Sequence, residues 1–300
     1  MPDDRLTIGR AVRANWPEYL MEAWGLGTLL LSAGVFATLL EAPGSPVHQA
    51  LPEPIVRRLL MALVMGCTAI AIVYSPWGKR SGAHINPAVT LGFLRLGRID
   101  PIDAAFYILA QFIGGLLGVG LVWAVMGHMF ADPPVHFIIT EPGAPGISIA
   151  FAVETAMAFG LMLTIAVALG VRRLTAFTGL MVGGLIAAYI ALFVPLSGMS
   201  INPARSFASA LPAHDLSALW LYFAAPVLGA LVAVEVYRLV QTEHAHGCAK
   251  LNHDMRYRCI HCGYAPGEDS HDHGHDHGHD HGHDHGHDRP APPVGEPAAP

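Results

Sequence analysis

Ser81-Gly82-Ala83-His84-Ile85-Asn86-Pro87-Ala88 returns later in the chain as Ser197-Gly198-Met199-Ser200-Ile201-Asn202-Pro203-Ala204, eight positions with six identities. Both copies stand inside strongly apolar sequence. Each reads as a helix start, because Asn is a preferred N-cap and Pro, lacking an N–H, suits the first helical position. A polar helix start is costly in a membrane-grade chain unless both copies face a shared water-filled path. One Asn-Pro-Ala would be weak evidence. Two with matching flanks point to a pore.

The composition agrees. Of 300 residues, 53% are hydrophobic and only 13% charged, with a mean hydropathy of +0.43. Soluble domains carry about 25% charge, so this is a membrane composition. The charges gather in the N-terminal stretch, the connections and the C-terminal stretch, and the net charge of −6 owes much to an acidic tail. It therefore says little about partners. No cleavable signal peptide is expected, because the first apolar run, beginning near Leu20, is long enough to span.

A helix needs about 20 mainly apolar residues to cross a bilayer. Six stretches qualify: about 18–40, 55–75, 103–126, 147–170, 175–196 and 216–240. Two shorter apolar segments, about 86–96 and 202–211, directly follow the Asn-Pro-Ala motifs and read as re-entrant half-helices. The expected fold is all-α: six transmembrane helices plus two half-helices, in repeats over about 18–126 and 147–240. Three spans per repeat make the second copy inverted. Short connections rich in Lys and Arg set the orientation. Arg5, Arg10 and Arg13, then Lys79, Arg80, Arg95 and Arg98, then Arg172, Arg173 and Arg238 fall on one side, while 127–146 contains neither residue type. Arg57 and Arg58 run against the trend. Both termini are expected in the cytoplasm, with residues 1–17 as a cytoplasmic lead and the plasma (inner) membrane as the location.

A helix N-terminus carries about +0.5 elementary charge. Two half-helices meeting at the midplane would repel cations, while the Asn86 and Asn202 amides offer hydrogen bonds to a neutral polar solute. Arg205, three residues after Asn202, is expensive within a membrane and suits a constriction lined by water; the alternative is that it snorkels to the headgroups.

The stretches 81–91 and 198–207 resemble the two signature loops of the aquaporin, or major intrinsic protein, family, and the resemblance runs over about 18–240. It implies a right-handed six-helix bundle, a homotetramer with one pore per subunit, and passage of water and small neutral solutes. By the same resemblance, Glu22 and Glu154 brace the re-entrant loops, Gln111 occupies a family position, and His84 lies in the cytoplasmic vestibule. From the residues alone, a membrane Glu is also a candidate proton relay, and His84 a plain loop hydrogen-bonder.

The resemblance further places the selectivity filter at Gly66, Ile190, Met199 and Arg205. Gly and Ile stand where strict water channels carry an aromatic residue and His, which implies a wider, more apolar mouth. A one-residue shift would bring in Met65, Cys67 or Tyr189 instead. Ser206 and Tyr222-Phe223 resemble water channels rather than glycerol facilitators. Together these imply a conduit for water with glycerol, urea or ammonia, excluding ions and protons.

After Val240 the character changes. Residues 241–264 hold His246, Cys248, Cys259 and Cys262, and Cys259-x-x-Cys262 suits one edge of a tetrahedral zinc site, with Cys248 and a nearby histidine to complete it. Free cytoplasmic thiols are the alternative. Residues 265–300 are low-complexity and expected to be disordered. From 271 to 288 they repeat His-Asp-His-Gly, including His271, His273, His275 and His277, with nine histidines and five aspartates. Dense imidazoles favour Zn, Ni or Cu, which makes a channel regulated by metal through its tail the alternative function. A metal transporter would need clusters of intramembrane acids or histidines, and only Glu22, Glu154 and His84 qualify. No nucleophile–base pair or phosphate loop suggests an enzyme, and no cofactor is required.

Overall fold

The computed structural model describes residues 7–241 and 248–266. Six of its helices are long and apolar enough to cross a membrane. In chain order the first repeat runs α1 (Ile8–Glu41), the short α2 (Pro46–Ala50), α3 (Pro54–Tyr74), the short α4 (Pro76–Ser81), the half-helix α5 (Pro87–Arg95) and α6 (Pro101–Met126). After α7 (His128–Ala131) the second repeat comprises α8 (Ile147–Gly170), α9 (Thr178–Ser197), the half-helix α10 (Pro203–Ala210) and α11 (Leu219–Val240). The expected all-α inverted repeat is the fold observed, and the described residues contain no strand.

Local sequence explains where the elements begin. Pro occupies the first turn of α2, α3, α4, α5, α6 and α10, and the preceding Ser45, Ser75, Asn86, Asp100 and Asn202 accept hydrogen bonds from backbone N–H groups of those first turns. The first helix differs from expectation: it begins at Ile8, capped by Thr7, rather than near residue 18. Its polar N-terminal turns carry Arg10, Arg13 and Glu18, which marks the edge of the apolar window but not the end of the helix, and Pro17 is accommodated inside it.

The spans pair through small residues, as is usual where lipid supplies no driving force for association. A Cβ on Gly114 of α6 would lie 2.0 Å from the Ala23 carbonyl of α1, and one on Gly229 of α11 would lie 2.2 Å from the Thr155 carbonyl of α8. These are matched pairs, first span with third and fourth with sixth. Leu63, Leu117, Leu121, Val125, Leu192 and Leu239 remain more than half exposed on the outside of the bundle, as suits an integral, multi-pass membrane protein.

The two re-entrant loops share one backbone. Gly82, Ala83 and Ile85 have φ of 109°, 54° and 42°, and Gly198, Met199 and Ile201 have 73°, 53° and 49°. A β-branched residue in the left-handed region is strained, so something must hold it there. The two intramembrane glutamates do so.

Candidate functional site

Glu22, fully buried on α1, accepts from Ser81 Oγ at 2.7 Å, His84 N at 3.1 Å, Ile85 N at 2.6 Å and Gln111 Nε2 at 3.0 Å. Glu154, fully buried on α8, accepts from Ser197 Oγ at 2.7 Å, Ser200 N at 2.8 Å and Ile201 N at 2.6 Å. Each carboxylate thus binds the N–H of the strained isoleucine just ahead of its half-helix. Gln111 also donates to Thr90 Oγ1 at 3.1 Å, tying the brace to α5.

That geometry sets Asn86 and Asn202 nose to nose. Their Oδ1 atoms accept from Ala88 N at 2.9 Å and Ala204 N at 3.1 Å, capping the half-helices that Pro87 and Pro203 begin. Asn86 Nδ2 donates to Ile201 O at 2.8 Å, and Asn202 Nδ2 donates to Ile85 O at 2.8 Å. The exchange uses one N–H of each amide and leaves the other for the lumen, a cavity of about 320 Å³ that both residues line.

Ile190, Met199 and Arg205 line the same cavity. Arg205 Nη1 donates to Ile138 O at 2.8 Å, in the connection after α7, instead of reaching for headgroups. Gly66, expected as the fourth member, does not line the cavity. A Cβ there would meet Gly183 O at 2.8 Å and Ala187 Cβ at 3.0 Å, so this face of α3 packs on α9. Met65 lines the cavity instead, with Met61 and Ala69 one turn to either side. One residue along a helix turns the side chain by about 100°, enough to swing position 66 from the cavity to the α9 interface. The mouth is apolar as expected, but it is filled by a flexible methionine rather than opened by a glycine.

His84 lies at the other end of the cavity, 2% exposed. Its Nδ1 faces Thr90 Oγ1 at 3.2 Å, and its Nε2 donates to the carbonyl of Ala249 at 2.7 Å. Residues 248–266 therefore fold back against the bundle, which sequence reasoning missed. Leu251, from this segment, lines the cavity beside Ala83 and His84.

Within the segment, the ligand atoms of Cys248, His253, Cys259 and Cys262 all lie within 4.8 Å of one another. Cys248 Sγ is 3.1 Å from Cys259 Sγ, and His253 Nε2 is 3.4 Å from Cys262 Sγ. The hydrogen bond with Cys248 holds the Cys259 thiol well below its usual range, favouring a thiolate. Burial, reinforced by the nearby His84, lowers His261 to about 4, so that imidazole is neutral. His253 takes the fourth place in the cluster; His246, His271, His273, His275 and His277 lie outside the described residues.

Six spans and two half-helices around one shared cavity define a class, membrane proteins built about a central conduit. The chain belongs to the major intrinsic protein family, whose family model matches residues 13–237. It is 35% identical over 182 residues to aquaporin NIP1-1 of Zea mays, covering 60% of this chain and 62% of that one. Nodulin-26 of Glycine max is 33% identical over 182 residues, 60% of this chain and 65% of its own. The probable aquaporin NIP7-1 of Arabidopsis thaliana is 32% identical over 220 residues, 72% of this chain and 74% of its own. The chain thus spans a little under two thirds of the length of the maize and soybean relatives. The aquaglyceroporin of Plasmodium falciparum superposes with a TM-score of 0.62 at 22% identity, covering 75% of this chain and 96% of that one, a likeness of fold.

Proposed function

We propose that this protein is a passive channel for water and small neutral solutes such as glycerol, urea and ammonia, and that it excludes ions and protons. The observation that carries the reading is the reciprocal pair of Asn86 and Asn202 in one lumen. Two half-helix N-termini facing one point disfavour a cation there, and the free amide protons hydrogen-bond a solute oxygen. Arg205 adds a fixed positive charge at a constriction formed with Met65, Ile190 and Met199, three apolar walls that leave the solute a single polar side. Glu22, Glu154 and Gln111 keep the loops in place, and His84 guards the inner vestibule. The working assembly is a homotetramer with a pore in each subunit, in the plasma (inner) membrane with both termini cytoplasmic.

Stopped-flow light scattering on proteoliposomes tests this. The expected result is water flux above that of empty vesicles, with measurable glycerol and urea uptake. Water flux with both solutes excluded would remove the wider substrate range, and no flux of any kind would remove the channel itself. The second reading, metal-linked control through the C-terminal region, is favoured by the four-ligand cluster beside the lumen.

A further inference from the structure

Residues 248–266 contain neither helix nor strand, yet Ala249, Leu251 and Cys259 are at most 3% exposed. Ordering backbone costs about 1–2 kcal/mol per residue, and so short an irregular stretch buries little apolar surface of its own to offset that. Two things hold it. One is the side-chain cluster at its centre. The other is a set of contacts that place it over the end of the lumen where Gly82 and His84 lie.

The cluster has the chemistry of a closed zinc-class site: three thiols and one imidazole, with no place left for substrate. Zinc–ligand bonds of about 2.0–2.3 Å set tetrahedral ligand atoms roughly 3.3–3.8 Å apart, and the two short separations already present are 3.1 and 3.4 Å. Cys259-Ile260-His261-Cys262 closes as a tight turn. Gly263, at φ 75°, donates its N–H to Cys259 O at 3.0 Å, and Cys259 N donates to Tyr264 O at 2.7 Å.

The docking contacts reach the loop that carries the first Asn-Pro-Ala. Leu251 N donates to Gly82 O at 3.1 Å, and a Cβ on Gly82 would come within 2.8 Å of Ala249 O. Arg258 pairs with the buried Glu18 of α1, and Lys79 pairs with Asp254. Leu251 thereby becomes part of the lumen wall.

We propose that Cys248, His253, Cys259 and Cys262 form a metal site of the zinc class, and that the bound ion locks Leu251 into the inner mouth and closes the channel. The gating half rests on the channel reading above; the site itself does not. A ligand that binds only the folded segment stabilises it in place, so occupancy and closure are linked. Release of the ion frees the segment and opens the mouth.

The test uses the full chain in liposomes, with zinc, with a chelator, and with cobalt(II) as a spectroscopic probe. Thiolate-to-cobalt charge-transfer bands are expected from the wild type and lost in Cys259→Ser/Cys262→Ser; a histidine-only site in the tail cannot produce them. Water permeability is expected to rise about tenfold on chelation, which requires about 1.4 kcal/mol of metal preference for the closed state. Leu251→Ala is expected to keep the cobalt bands yet conduct with metal present. Absence of thiolate bands in the wild type overturns the site. Bands with a flux indifferent to metal overturn the gate while leaving the channel standing. No flux from wild type or either variant, with or without chelator, overturns the channel reading and the gate with it.

Discussion

Tyr107 and Tyr222 do the same work in opposite halves of the molecule: each hydroxyl donates at 2.7 Å to the carbonyl of the serine that opens a re-entrant loop, Ser81 for one and Ser197 for the other. Both rings are at most 1% exposed. With the glutamates, they make a matched pair of clamps, a carboxylate on the loop N–H groups and a phenol on the carbonyl where the loop begins.

Replacing either tyrosine by phenylalanine leaves a buried carbonyl short of a partner and is expected to cost about 1–3 kcal/mol. Thermal unfolding in detergent reads the loss. Tyr107→Phe carries a second consequence, since the lost hydroxyl also lies 3.5 Å from His261 Nε2, which shares the Ser81 carbonyl at 3.2 Å. Limited proteolysis should cut residues 248–266 faster in Tyr107→Phe than in Tyr222→Phe.

Glu22→Gln and Glu154→Gln each turn part of an acceptor surface into a donor facing other donors. Each amide keeps a single oxygen, so either His84 N or Ile85 N, and either Ser200 N or Ile201 N, loses the acceptor that holds the loop at positive φ. A loss of about 3 kcal/mol or more is expected for each, seen as a lowered unfolding midpoint. An unchanged midpoint would mean the braces are dispensable.

Met65 and Gly66 separate cleanly. Met65→Ala is expected to raise glycerol uptake several-fold in vesicles, because it removes bulk from the lumen wall. Gly66→Ala drives a methyl toward the Gly183 carbonyl and should cost stability, about 1–3 kcal/mol, with solute selectivity little changed. The reverse pattern would return Gly66 to the filter.

Arg205→Leu takes the fixed charge from the constriction and leaves Ile138 O without its guanidinium partner. A pH-sensitive dye inside vesicles should report a faster proton leak than wild type, while water flux persists.

The half-helices were legible because Asn and Pro act within one turn of themselves, so position in the chain determines their role. The glutamates were legible through the family resemblance and because each lies in the first span of its repeat, although one stands 63 residues before its loop isoleucine and the other 47. Gly66 was misplaced because a filter position depends on the phase of α3, and an error of one residue turns the side chain by about 100°. The segment 248–266 left no trace of its docking in the sequence. Two of its partners at the loop are main-chain oxygens of Ser81 and Gly82, which carry no side-chain signature. The third is the His84 imidazole, whose acceptor is again a main-chain oxygen, that of Ala249.

That choice of partners has a consequence for how control and transport can change. A strap that grips the peptide oxygens of Ser81 and Gly82, and the charges of Glu18 and Lys79 away from the cavity wall, depends on one lining side chain, His84. The rest of the passage can therefore be retuned for a different solute while its stopper still fits. Conversely, the stopper can be redesigned, or discarded, without retuning the passage.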